Sequence, residues 1–143
     1  MDRMFTKTPS VFYAAVVTSA KNIIDEYNRG YFSRSSLLGI YDVALQYHNA
    51  YSSNDPETTQ LSILLPLSHL PEDTRRNFSK DWTSVRLFSV SVQTDMLQLV
   101  SEGSHLGLVM VRFEGFAVLV FCSPFSKITA AEVRGMVKDA YSK

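Results

Sequence analysis

The stretch from His105 to Cys122, HLGLVMVRFEGFAVLVFC, decides the fold of this chain. Two runs rich in Val, Leu, Met and Phe flank Phe113-Glu114-Gly115, and Gly115 can take the positive φ that a tight reversal needs. We therefore predict an antiparallel hairpin with strands over 106–112 and 116–122. Both faces of this hairpin are apolar, so we expect both to be sheltered, either by helices on one side and sheet on the other or by a partner on one face.

Length and composition set the scale of the fold. A chain of 143 residues suffices for one core, and we predict a short N-terminal extension over 1–9 and a single domain over 10–143. The hydrophobic fraction of 45% and the charged fraction of 20% are typical of globular proteins. Lys and Arg total 14 and Asp and Glu total 14, so no overall positive field favours nucleic acid, and no specific DNA recognition is expected.

The single cysteine and the absence of long apolar runs indicate a cytosolic protein. Cys122 cannot form an internal disulfide, and its place in the apolar hairpin predicts a small core residue in a reducing compartment. No apolar run reaches the ~18–20 residues that span a bilayer. The N-terminal sequence MDRMFTKTPS lacks the long apolar segment of a signal peptide.

Hydrophobic periodicity predicts an α+β domain, a mainly antiparallel sheet with about three helices packed on it. Hydroxyls at Ser33 to Ser36 can cap the first helix, Thr94-Asp95 can cap a short second one, and Thr129 with Glu132 forms a capping box for the last. The segment 66–81 has no sustained period and is predicted to be a long irregular loop. We expect strands near 11–20, 59–65, 83–93, 106–112 and 116–122, and helices near 36–50, 95–101 and 129–141.

The sequence shows no catalytic constellation. His48, His69 and His105 are isolated, and no CxxC or HExxH spacing is present. GxSxG, Walker-type and GxGxxG motifs are also missing. We therefore predict a protein that is not an enzyme and has no catalytic residues, no cofactor and no metal site.

The long loop supplies the candidate contact surface for a membrane or a partner. An aromatic tip beside basic residues suits a membrane interface or a socket on another protein. In the alternative, nearby acidic residues cancel the basic ones and leave a solvated face, while Leu67, Leu70, Phe78 and Trp82 fold back on the core. The candidate residues are Arg75, Arg76, Phe78, Lys80 and Trp82.

Three segments taken in order resemble the globular core of the rhabdovirus matrix proteins. They are VFYAAVV through IYDVALQYH, LPEDTRRNFS followed by WTSVRLFSVSVQTD, and LGLVMVRFEGFAVLV. The resemblance implies a structural viral protein that associates with itself and with the nucleoprotein in the nucleocapsid. It would also touch an anionic membrane surface, in the host cytoplasm and at the inner face of the virion envelope, and would act in virion assembly and budding. The lysine-rich arm usual in that family has no counterpart here.

A second hypothesis comes from another class of protein. YAAVVTSAKNIIDEY looks like the two opening strands of a longin-like trafficking module, and a first helix, a terminal hairpin and a final helix would also fit that fold. Such a module is a cytosolic adaptor that binds vesicle machinery. A third possibility is a subunit of a hetero-oligomer whose hairpin is simply core.

Overall fold

In the described part of the chain, seven strands form one antiparallel sheet with a long helix against each face. The computed structural model describes residues 4–5, 8–52, 62–70, 72–76, 78, 82–101, 103, 106–123 and 127–141. The sheet order is β2-β1-β7-β6-β5-β4-β3. This architecture confirms the predicted α+β class. The elements are β1 (Val11–Thr18), β2 (Ile23–Tyr27), α1 (Arg34–Ser52), β3 (Ser62–Pro66), the 3-10 turn Leu67–His69, α2 (Glu72–Arg75), β4 (Ser84–Gln93), β5 (Met96–Ser101), β6 (Gly107–Phe113), β7 (Phe116–Cys122) and α3 (Lys127–Tyr141).

The predicted hairpin is β6 with β7, and it lies in the middle of the sheet. Phe113 pairs with Phe116, so the turn consists of Glu114 and Gly115 alone. Gly115 has a φ of +85°, a conformation that glycine adopts without the steric cost of a Cβ. Strand pairing continues to β1 on one side of the hairpin and to β5 on the other.

The two faces of the hairpin are covered by different helices. Buried apolar side chains form two clusters, one between the sheet and each long helix. We call the cluster beside α1 the α1-side core and the cluster beside α3 the α3-side core. The predicted shelter is confirmed, but the cover is a helix on each face rather than a second sheet or a partner. The hairpin gives Leu108, Met110, Ala117, Leu119 and Phe121 to the α1-side core, and Val109, Val111, Val118, Val120 and Cys122 to the α3-side core.

Both long helices begin close to where the sequence places them. Ser33 caps α1, because its Oγ accepts a hydrogen bond from the backbone N–H of Ser36 at 3.2 Å. The helix then turns Leu37, Ile40 and Ala44 into the α1-side core. The last helix starts at Lys127, two residues before the predicted cap, and the Thr129 side chain lies outside the described part.

The predicted helix over 95–101 is wrong, because this segment is strand β5. Gln93 pairs with Met96, which makes Thr94-Asp95 the turn of a β-hairpin rather than a helix cap. Leu97 and Leu99 enter the α1-side core while Met96 enters the α3-side core. A strand sheltered on both faces loses its polar alternation, and a short apolar run of this kind does not distinguish a strand from a helix.

A β-bulge alters the predicted facing of β4. The alternation of apolar and polar residues predicts that Phe88, Val90 and Val92 share one inward face, but the register shifts between Ser89 and Ser91. The Val90 side chain lies outside the described part. The extra residue reverses the alternation, so Val85 and Leu87 enter the α1-side core before the bulge and Val92 packs against it afterwards. Phe88 therefore points to the opposite face.

The β4–β5 turn is fastened to α3 by polar contacts. Lys138 Nζ donates to Asp95 Oδ2 at 2.5 Å, and Arg134 Nη2 donates to Gln93 Oε1 at 2.7 Å. The hydrogen bond from Lys138 lowers the pKa of the Asp95 carboxyl. These contacts hold α3 over the centre of the sheet.

Candidate functional site

His48 on α1 has a structural role. His48 is 1% exposed, with Nε2 2.6 Å from the Gln93 carbonyl oxygen and Nδ1 3.1 Å from Nη1 of Arg112. A guanidinium only donates, so Nδ1 accepts and Nε2 carries the proton that is donated to Gln93. This ring ties α1 to β4 and β6, and both its nitrogen atoms are occupied.

Cys122 is equally enclosed. Burial raises the pKa of its thiol to about 12, so the thiol stays protonated at neutral pH and is a poor nucleophile. Across the described ranges, no group of three or more His, Cys, Asp or Glu side chains is arranged to hold a metal ion.

An apolar groove opens at the β3 end of the sheet. We call it the β3–β4 groove; its cavity volume is about 500 Å³. Leu64 and Arg86 face each other across the β3–β4 pair, on the face opposite to the buried Val85 and Leu87. None of the described side chains of β3 and β4 belongs to the α3-side core, so α3 leaves this corner open. The lining includes Leu64, Phe78, Trp82, Val85, Arg86 and Phe88.

Two large apolar side chains of the groove are exposed. Trp82 is 51% exposed and Leu64 is 52% exposed, whereas Phe78 beneath them is 8% exposed. The Phe78 and Trp82 ring centroids are 6.3 Å apart. Exposed tryptophan and leucine around one concave surface are typical of a binding site, because their burial against a partner removes apolar area from water.

The predicted contact residues do not all meet at this groove. Phe78 and Trp82 line it, but Arg75 and Arg76 lie exposed at the end of α2 and are outside its lining. The Arg76 guanidinium is 3.7 Å from the Glu72 carboxylate, a surface ion pair between adjacent turns. Lys80 lies outside the described residues. Arg75 and Arg76 are therefore separate from the aromatic residues that line the groove.

The loop also follows the alternative prediction in part. Leu67 and Leu70 belong to the α1-side core with Phe78, so these three side chains fold back on the sheet. Only Trp82 of the predicted apolar set is exposed. The predicted irregular segment contains the 3-10 turn Leu67–His69 and the single helical turn α2.

Sequence analysis missed Leu64 and Phe88 as parts of the site. They lie on the paired strands β3 and β4. Ser62 pairs with Phe88 and Leu64 pairs with Arg86, so Leu64 and Phe88 are diagonal neighbours on one face of the sheet. The sequence did contain a signal for Leu64: side chains alternate along a strand, so Leu64 must face the side opposite to Ile63 and Leu65. The face on which Phe88 lies could not be predicted in the same way, because the bulge in β4 interrupts the alternation.

A second, more polar cavity lies at the opposite end of the sheet, beside β2. It has a volume of about 520 Å³ and is lined in part by Glu26, Arg29 and Arg34. Glu26 is occupied, because Tyr13 Oη donates to its Oε2 at 2.5 Å and Arg29 Nε is 4.0 Å from its Oε1. Burial and this carboxylate together raise the pKa of Tyr13 far above its usual range.

Fold and surface together define an α+β domain with one antiparallel sheet, a helix on each face and an apolar groove at one sheet edge. Among solved structures, profilin IA of Acanthamoeba castellanii is similar to it, with a TM-score of 0.55 and 14% sequence identity over 97% of this chain and 90% of that chain. At this identity the similarity concerns the fold alone. Neither a family model nor a curated protein sequence matches the chain. Within the described ranges, no helix has the length and apolarity needed to cross a bilayer.

Proposed function

We propose that this chain is a non-catalytic interaction domain that binds other macromolecules through the β3–β4 groove. The observation that carries the proposal is the half-exposed pair Trp82 and Leu64 at the rim of an apolar cavity. Burying an exposed Trp or Leu contributes on the order of 1.5–3 kcal/mol, so a protein that keeps both in water gains affinity when a partner covers them.

Matrix-type assembly is the first form that this function would take. The ordered resemblance to rhabdovirus matrix cores supports it, and the open corner of the sheet offers a surface for self-association. Single contacts on the order of micromolar affinity become strong when many copies form an array on a membrane or a nucleocapsid. Formal net charge is zero, so copies of the chain do not repel one another as wholes.

A trafficking adaptor is the second form, and the order of the elements favours it. The chain opens with the β1–β2 hairpin, continues with α1, and closes with the β6–β7 hairpin and α3. This is the order that the longin-like hypothesis requires. Under this hypothesis the groove would take a segment of a cytosolic partner, and the domain itself would remain monomeric.

Replacement of Trp82 by alanine tests the proposed surface. We expect Trp82→Ala to weaken either self-association, followed by sedimentation velocity over a concentration series, or binding to phosphatidylserine vesicles. Ile24→Ala is the matched control, because Ile24 is 63% exposed at the opposite edge. Trp82 is the single tryptophan, so a blue shift of its emission in the wild type reports burial of the groove directly. Full association without any change at Trp82 would contradict the proposal.

The exposed arginines at the end of α2 provide a separate prediction for membrane binding. We expect Arg75→Glu with Arg76→Glu to leave the melting temperature nearly unchanged, because both side chains are exposed and surface ion pairs contribute little. Co-sedimentation with phosphatidylserine vesicles should fall, and the loss should shrink at high salt.

The control for the arginine variant carries the same charge change at the other end of the molecule. Arg29→Glu with Arg34→Glu alters two exposed arginines beside β2. If this control reduces vesicle binding as strongly, the effect comes from net charge. If the Arg75 and Arg76 variant binds vesicles like the wild type, those arginines are ordinary solvated surface.

A further inference from the structure

The two edges of the sheet differ in how they are protected. Edge strands carry unpaired backbone groups, and proteins commonly guard them with charged side chains or bulges. At the β2 edge, Asp25 and Glu26 supply two carboxylates, and the register shifts at Val16/Val17 in the neighbouring strand. At the other edge, β3 reads SILLP and has no charge. Among the described residues, β3 pairs only with β4, so its outer side is the less guarded edge.

The backbone groups that β3 presents outward follow from one hydrogen bond. Leu67 N–H donates to the Thr83 carbonyl at 2.9 Å, which marks Leu67–Thr83 as a hydrogen-bonded pair. In an antiparallel ladder such pairs alternate, so the odd-numbered residues of β3 point their groups at β4. Ser62 and Leu64 therefore point N–H and C=O away from the sheet. Pro66 points its carbonyl outward and its missing N–H is tolerated there.

We propose that a second copy of this chain adds to β3 edge to edge, antiparallel, with Leu64 on a twofold axis. This proposal rests on the proposed function and names the partner as the chain itself. In this register Leu64 exchanges both backbone hydrogen bonds with Leu64 of the second copy. Ser62 then lies opposite Pro66 of the second copy, where its N–H donates to the proline carbonyl. The proline lacks an N–H, and the Ser62 carbonyl at the end of the ladder remains accessible to water.

The side chains are consistent with the same twofold arrangement. Leu64 is 52% exposed, and residues in a hydrogen-bonded pair have Cα atoms about 5.5 Å apart, so the two leucines would contact each other. The β3–β4 groove lies on the same face as Leu64, and the two grooves would meet across the axis. The zero net charge removes overall repulsion between copies.

The β2 edge does not offer an equivalent interface. Twofold pairing there would bring Asp25 and Glu26 of both copies close together, and like charges across a strand pair are unfavourable. An extended peptide from another protein could also pair with the β3 edge. In that case the state of the β3 edge would not change with the concentration of this chain, as it does in a dimer. The short strand limits the buried area, so we expect a dimer with a Kd on the order of micromolar or weaker.

Leu64→Lys tests the interface with Ile24→Lys as its control. A lysine on the twofold axis faces its own copy, so we expect the dimer Kd from sedimentation velocity to rise by at least about tenfold. Ile24→Lys places the same charge on the β2 edge and should leave the Kd unchanged. Both positions are exposed, and circular dichroism melting should show that both variants fold.

Residue-resolved amide exchange supplies the second measurement. In the wild type, protection of the Leu64 N–H should rise with protein concentration, while the Leu65 N–H, which points at β4, should change little. A strictly monomeric wild type, or a dimer that ignores Leu64→Lys, would overturn the inference. If Trp82→Ala still weakens vesicle binding by a monomer, the proposed function stands and only the edge dimer fails. If neither association nor vesicle binding occurs, the edge dimer and the matrix-type form both fail, and the result favours the trafficking adaptor, in which the domain remains monomeric.

Discussion

Val118→Asp is expected to lower the free energy of unfolding by about 4 kcal/mol, a large fraction of the roughly 5–15 kcal/mol that stabilises an ordinary domain. Val118 lies on β7 in the centre of the sheet and is fully buried in the α3-side core. Its backbone neighbours Val16 and Val111 are also apolar, so an aspartate there would meet no cation or donor side chain across either strand. Either the carboxylate is buried unpaired or the core opens to admit water.

Two control substitutions separate charge burial from loss of volume. Val118→Ala removes two methyl groups and should cost about 1–2.5 kcal/mol, clearly less than the aspartate. Val43→Asp places the same charge on α1 at a side chain that is 39% exposed, and it should change stability by under about 1 kcal/mol. Urea denaturation followed by circular dichroism measures all three. A soluble Val118→Asp variant with the wild-type midpoint would place this side chain outside the core.

The hairpin could be predicted from sequence because two independent signals agree there. The apolar runs fix the two strands, and Gly115 fixes the reversal between them. The cover could not be predicted as fully, since an apolar face calls for shelter without specifying its source. The α1-side core draws on residues as distant as Tyr13 and Leu37, and such long-range packing leaves no local pattern.

Strands β2 and β5 both lack the alternation of polar and apolar residues that identifies a strand in sequence, for opposite reasons. β5 is apolar on both faces and resembles a short helix, while β2 contains Asp25 and Glu26 and resembles a solvated connection. Their positions in the sheet explain both patterns: β5 is interior and covered on two sides, and β2 is an edge. Position in a sheet is a property of the assembled fold, and local composition alone does not encode it.

The candidate site was predictable only as a segment. Trp82 and Phe78 could be selected because aromatic side chains beside basic residues suit a contact surface, and both line the groove. Leu64 could not be selected in the same way, because its exposure depends on β3 lying at the edge of the sheet and on α3 ending its cover before that strand. The same dependence on topology places Arg75 and Arg76 away from the groove.

Phe121→Ala, the second large expected effect, should destabilise the domain by about 3–5 kcal/mol. Phe121 lies on β7 in the α1-side core with no exposed surface. Its ring centroid is 4.9 Å from that of Phe32 and 6.0 Å from that of Tyr13. The substitution therefore removes a ring that contacts two other buried rings, one from β1 and one from the segment before α1. It also leaves a cavity, and β7 cannot move to fill it without breaking its pairing with β1 and β6.

Phe121→Leu is the control, since leucine fills most of the volume and should lose markedly less stability than alanine. A double-mutant cycle with Phe32→Leu isolates the ring-to-ring contribution, for which we expect a coupling of about 0.5–1.5 kcal/mol. Because Phe121, Phe32 and Tyr13 are not among the residues that line the β3–β4 groove, Phe121→Leu should leave vesicle binding and self-association intact wherever the protein remains folded. A loss below about 1 kcal/mol for Phe121→Ala in urea denaturation would mean that the aromatic cluster is not part of the rigid core, and that the sheet is held together chiefly by its α3-side face.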